Sequence, residues 1–120
     1  MKPELNAGEY IFMTQLSISH IPRDHIIGQF SEKEGTTIII EKQKADALGL
    51  QYTFVGAWIT LNVHSSLDSV GLTAIFASEL AKNQIGCNVV AGYYHDHIFV
   101  NKKDGQKAIK VLNKLAENYV

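Results

Sequence analysis

The sequence predicts an α+β fold of mostly antiparallel sheets with helices packed on one face, because short β-branched runs alternate with helical stretches in the order such layers need. From Trp58 onward that order reads strand, helix, strand, strand, helix. The residues before it repeat the order with a shortened first helix, so the chain divides into two copies of one βαββαβ unit, at residues 9–55 and 57–120. Its 120 residues are 46% hydrophobic and 19% charged, with only 2 Pro, which is enough to bury a core without staples and excludes a disordered chain.

Asn6-Ala7-Gly8 is a turn, and the aromatic and β-branched run Tyr10 to Leu16 is the first strand. Pro22 and two histidines interrupt Ser17 to Ile27, leaving room for one or two helical turns at most. Ile26 to Phe30 and Thr36 to Ile40 flank the charged loop Glu32-Lys33-Glu34-Gly35 as a hairpin, and the all-apolar second strand is expected to be buried on both faces. Good helix formers from Glu41 to Leu48 end at Gly49, where a helix favours a residue of positive φ. Gly56-Ala57 reads as a break, splitting the next extended stretch into Tyr52 to Val55 and Trp58 to Val63. Leu72, Phe76 and Leu80 recur at helical spacing within Leu67 to Gln84, with Ser65, Ser66 and Asp68 as candidate caps. Cys87 to Gly92 and His97 to Val100 are strands. Asp104 is the expected cap of a last helix whose Ala108, Val111, Leu112, Leu115 and Tyr119 form one apolar stripe opposite Lys107, Lys110, Lys114 and Glu117.

Charge narrows the function. With 11 Lys+Arg against 12 Asp+Glu the net charge is −1, which leaves no electrostatic footprint for nucleic acid or anionic lipid. The single cysteine, Cys87, builds neither an intrachain disulfide nor a thiolate zinc site. No apolar run approaches the roughly 20 residues that span a bilayer, and Met1 to Gly8 has no signal-peptide core, so a cytoplasmic protein without membrane insertion is expected.

The stretch Asp68-Ser69-Val70-Gly71-Leu72-Thr73-Ala74-Ile75-Phe76-Ala77-Ser78-Glu79-Leu80-Ala81, followed by Ile85-Gly86-Cys87-Asn88-Val89, resembles the first strand-to-helix turn and helix of ACT domains. Val70 stands where that pattern has Pro, and one or two extra residues precede Asn88. Together with Glu34 to Thr37, Trp58 to Leu67 and Asn88 to His97, the chain is similar to a small group of bacterial tandem ACT-like proteins. The resemblance implies ferredoxin-like βαββαβ modules that bind a small molecule, often an amino acid, and regulate another protein. It implies a ligand-contacting set of His64, Ser65, Ser66, Leu67, Asp68, Val70, Gly71 and Leu72, with Asn88 on the following strand.

The chemistry of that turn fits a zwitterion. Unpaired N–H groups and the positive end of a helix accept a carboxylate, the serine hydroxyls donate to it, and Asp68 accepts from an ammonium group. Gly71 is expected to permit close approach of a ligand or a neighbouring backbone. The competing reading is that the serines and Asp68 only cap the helix. His95-Asp96-His97 has the i, i+2 spacing of strand metal ligands, yet it falls at an expected hairpin tip, where both histidines are solvated and away from the pocket; no metal or other cofactor is assigned. Ser65 or Ser66 beside His64 superficially offers a nucleophile and a base, but no nucleophile-elbow motif is present, so no catalytic residue and no enzyme activity is assigned. The expected function is amino-acid-binding regulation of metabolism or transport by a homo-oligomer. The alternative is an interaction module without ligand, since the second half has no fourth strand after its last helix and leaves a sheet edge open.

Overall fold

The computed structural model describes residues 2–62 and 70–118. In chain order the elements are β1 (Pro3–Leu5), β2 (Tyr10–Gln15), a 3₁₀ turn (Arg23–His25), β3 (Ile26–Ser31), β4 (Thr36–Glu41), α1 (Lys42–Ala47), β5 (Val55–Leu61), α2 (Leu72–Lys82), β6 (Asn88–Ala91), β7 (Asp96–Asn101), a 3₁₀ turn (Lys102–Asp104) and α3 (Gly105–Glu117). The chain forms two compact units, one of Gly8–Gly56 and one of Met1–Ala7 with Ala57–Val120. This is the α+β, ferredoxin-like arrangement in tandem, with antiparallel strands and helices.

In the Gly8–Gly56 unit the strand order is β3, β4, β2 and the start of β5. Six residues of β2 pair antiparallel with β4, from Tyr10 opposite Glu41 to Gln15 opposite Thr36. Val55 and Gly56 then pair with Ile11 and Tyr10. Strand β4 is central because its isoleucines serve two faces: Ile38 and Ile40 join Ile11, Ile21, Ala45 and Leu50 in one cluster, while Ile39 is buried on the other side. The β3–β4 loop closes through Glu32 N–H to the Gly35 carbonyl at 2.9 Å. Helix α1 ends where Gly49 takes φ +70, and the bonds from Leu50 N–H to the Ala45 carbonyl and Gly49 N–H to the Asp46 carbonyl complete its C-terminus.

In the other unit the strand order is β1, β5, β7, β6. Its core gathers Ile59, Leu61, Phe76, Leu80, Ile98, Val100, Ala108, Leu112 and Leu115, so α2 and α3 cover one sheet face. The amphipathic stripe of α3 is buried as its spacing requires, with its lysines exposed; Tyr119 lies outside the described residues.

Several sequence expectations are corrected. The fourth strand of the second unit comes from ahead of the first: β1 pairs antiparallel with β5, Pro3 opposite Leu61 and Leu5 opposite Ile59, in place of the strand expected to be missing after the last helix. Strand β5 is continuous through Gly56-Ala57. Both residues are buried in it, and Ala57 is small because a Cβ on Gly105 of α3 would stand only 3.1 Å from the Ala57 Cβ. No strand covers Tyr52 to Phe54. Helix α2 starts at Leu72 because Gly71 at φ +96 cannot belong to it, and the expected caps Ser65, Ser66 and Asp68 lie outside the described residues. Asp104 makes no side-chain cap; the Asn101 side chain accepts from Lys103 N–H instead, at 3.1 Å, and starts the 3₁₀ turn ahead of α3.

Candidate functional site

Of the turn expected to contact ligand, His64, Ser65, Ser66, Leu67 and Asp68 lie outside the described residues. Val70 is 98% exposed. Gly71 opens α2 in the left-handed conformation, and among the described residues no side chain caps the helix there; Ile75 N–H donates to the Gly71 carbonyl at 3.0 Å. Among the described residues a Cβ at Gly71 would meet nothing within 4 Å, and the positive φ is what favours glycine there. Leu72 is half-buried against the core. Asn88 begins β6 and donates from Nδ2 to the Phe99 carbonyl at 3.3 Å. Because Asn88 pairs with Phe99 in register, it shares a sheet face with Phe99, while Ile98 and Val100 point to the face where α2 packs.

The Gly8–Gly56 unit holds a cleft of about 770 Å³ in the segment joining its first two strands. Ile18, Ile21, Pro22 and Ile26 give it apolar walls, and Ser19, His20, Arg23 and Gln29 give it polar groups. Pro22, extended at φ −55, starts the 3₁₀ turn that presents Arg23. Sequence reading treated this segment only as a shrunken helix; the signal available was a cation and a histidine beside four apolar residues.

A second polar cluster stands on the helix-free sheet face of the other unit. Trp58 Nε1–H donates to His97 Nδ1 at 3.0 Å, the Thr60 hydroxyl lies 3.3 Å from the same nitrogen, and Asn6 Nδ2–H donates to Thr60 Oγ1 at 3.0 Å and to the Trp58 carbonyl at 3.2 Å. The Trp58 ring stacks on Phe99, centroids 6.0 Å apart. Burial and the neighbouring His95 push the His97 pKa below its ordinary 6.5, against a weaker opposite pull from Asp96. The expectation of two solvated tip histidines is therefore corrected: His95 and His97 are half-buried, and His97 touches Thr60 one residue before β5 ends and the chain leaves toward α2. Among the described residues no group of three or more His, Cys, Asp or Glu side chains could hold a metal ion. Cys87 is half-buried, and burial raises its thiol pKa, so it stays protonated at neutral pH.

Two ACT domain profiles match the chain, over residues 1–57 and 54–114. The chain belongs to the ACT domain family. The first profile spans β1 to β4 and the beginning of β5, and the second runs from β5 into α3. The crystal structure of a Vibrio cholerae protein of unknown function, described as a possible transport protein, is similar at 47% identity with a TM-score of 0.86, covering 92% of this chain and 86% of that one. A protein from Agrobacterium tumefaciens shares 22% identity with a TM-score of 0.64, over 94% of this chain and 87% of its own. The structure of aspartokinase alpha and beta subunits shares 11% identity with a TM-score of 0.63, over 95% and 96%. These last two likenesses concern the ACT fold alone. A search of curated proteins returned no match. No helix among the described residues of the ACT protein is long and apolar enough to cross a membrane.

Proposed function

We propose that this ACT protein is a non-catalytic regulatory module that binds an amino acid or related small carboxylate in the cytoplasm and acts on a metabolic enzyme or a transporter. The observation that carries the reading is the open cleft at Ile18 to Gln29, whose volume of about 770 Å³ falls within the range of small-molecule sites and whose lining is shared between apolar and polar side chains. Arg23 offers a fork-shaped donor to a carboxylate, Ser19 a hydroxyl, Gln29 an amide, and Ile18, Ile21 and Ile26 an apolar wall for a side chain. The corresponding connection of the second unit, His64 to Leu72, carries the serines and Asp68 ahead of α2, side chains that suit a zwitterion.

Thermal unfolding with each common amino acid tests this. Ligand at 100 times its dissociation constant adds about 2.7 kcal/mol of stability. Arg23→Ala is exposed and should fold normally while losing most of that increment. Wild-type protein that shows no shift with any amino acid at millimolar concentration overturns the reading.

A second reading is self-association. Outer strand β6 carries no charged residue, Val89 and Val90 are exposed on it, and the adjoining Tyr93 and Tyr94 are 82% and 75% exposed. Such an edge suits antiparallel pairing with a second copy. Sedimentation that gives a dimer for wild type and a monomer for Val90→Lys supports it; a wild-type monomer at all concentrations removes it.

A further inference from the structure

The cleft of the Gly8–Gly56 unit carries fixed charge of one sign. Arg23 lines it, His20 brings an imidazole N–H, and Ser19 and Gln29 bring neutral polar groups, but no Asp or Glu is part of the lining. Asp24, next to Arg23 in the chain, is exposed and stands outside it. Two other carboxylates of the unit are engaged elsewhere: Glu32 accepts from the Thr37 hydroxyl, and Asp46 is held by Lys42 Nζ at 2.8 Å and by the Tyr52 hydroxyl. Arg23 has no such partner. Among the described residues its guanidinium makes no ion pair and no side-chain hydrogen bond.

The backbone of the segment does little to compensate. The Ile18 carbonyl accepts from Ile21 N–H at 3.0 Å, the Pro22 carbonyl from His25 N–H at 3.0 Å, and the Arg23 carbonyl from Ile26 N–H, so these carbonyls close the turns that shape the cleft. Ile21 is buried in the cluster that includes Ile38 and Ile40, and Ile18 and Ile26 pack against it, which makes the apolar wall part of the core. An ammonium group carried into this site gives up water, meets a guanidinium of its own sign and finds no anion. The second unit differs in sequence at the corresponding connection, where Asp68 offers such an anion.

We propose that this cleft takes an aliphatic monocarboxylate without an α-ammonium group, a branched 2-oxo acid or the saturated acid of the same chain, in preference to the matching amino acid. This rests on the cleft being the ligand site proposed above and narrows its occupant. The carboxylate lies on the Arg23 fork, and the alkyl chain lies on Ile18, Ile21 and Ile26. A 2-oxo oxygen is a further acceptor for the donors of Ser19, His20 or Gln29. An ammonium at the same carbon instead brings three donors and a positive charge to a lining whose fixed charge is already positive.

Five probes separate these contributions: L-leucine; isocaproate, which is leucine without its amino group; 2-oxoisocaproate; isoamylamine, which is leucine without its carboxylate; and acetate. Each is titrated into the full-length isotope-labelled protein and followed by NMR at the backbone amides of Ser19, Arg23 and Ile26, so that the affinity read is that of the cleft and not of a site in the other unit. Isocaproate and 2-oxoisocaproate should bind more tightly than leucine by about tenfold or more, the consequence of an ammonium left without a partner. Acetate, with no chain to lay on the isoleucines, should bind more weakly than isocaproate by about tenfold or more. Isoamylamine should not shift these amides. Arg23→Ala, at an exposed position, should keep the unliganded unfolding midpoint and lose the response to isocaproate. Leucine that binds here as tightly as isocaproate overturns the proposal and leaves the cleft an amino-acid site. Isocaproate binding that survives in Arg23→Ala, acetate as tight as isocaproate, or isoamylamine bound in the cleft each overturns it as well. Silence from all five probes at millimolar concentration also overturns it, and the ligand reading of the cleft falls with it only where the amino-acid series of the thermal assay is silent too.

Discussion

Replacing Gly71 in a graded series separates what the backbone needs there from what a ligand needs. Gly71 opens α2 at φ +96 and ψ −22, and a Cβ there meets no atom of the described residues within 4 Å, so the cost worked out here is conformational. Holding alanine in the left-handed region costs about 1–2 kcal/mol. The loss of glycine's unfolded-state freedom offsets about 0.4–1 kcal/mol of this, which leaves a net destabilisation of about 1 kcal/mol for Gly71→Ala. Asparagine visits the same region more readily, so Gly71→Asn should stay within about 0.5 kcal/mol of wild type. Gly71→Val, with a branched Cβ that disfavours positive φ further, should be the worst of the three. Urea unfolding measures the series through the midpoint at constant slope, and about 1 kcal/mol corresponds to roughly 4 °C in thermal midpoint for a chain of this size. A Gly71→Ala variant as stable as wild type, or a valine variant no worse than alanine, would show that α2 does not begin in the conformation described.

Two further outcomes follow from burial. Leu112, fully buried on α3 in the core of the unit that contains it, should cost about 2–5 kcal/mol when cut to alanine, read by urea unfolding; a loss below 1 kcal/mol would mean that α3 does not pack through this stripe. Burial raises the Cys87 thiol above its ordinary 9.0, so its neutral form is favoured by folding and the corresponding stability is lost as pH rises past 9.0. Alkylation of the native protein by iodoacetamide should therefore show a pH midpoint above 9.0, and a midpoint at or below that value refutes the assignment.

Periodicity and turn chemistry were sufficient wherever an element is long enough to carry its own signal. The stripe of α3, the two-faced isoleucines of β4 and the Gly49 stop of α1 are local properties of the chain, and the structure places them as their spacing requires. Membership of the ACT family was legible for the same reason: the run from Asp68 to Ala81 with Asn88 behind it is a pattern of neighbours in sequence. The candidate cleft was less legible, because Ile18 to Arg23 have no period and become a site only when β2 and β3 hold their ends apart.

The sequence alone determined the α+β class, the tandem plan and the longer elements from β2 to α3, because each follows from composition or from side-chain periods within one segment. Tertiary structure alone decided which strand completes the second unit, since β1 is three residues long and is defined by its pairing with β5, from Pro3 opposite Leu61 to Leu5 opposite Ile59. It also decided that Gly56-Ala57 continues a strand, because the reason for small residues there is an α3 backbone that arrives from residue 105. The protonation state of His97 belongs to the same class. Nothing within the His95-Asp96-His97 triplet requires a neutral ring, whereas an indole donor brought from residue 58 does, and only folding places that donor 3.0 Å from the imidazole.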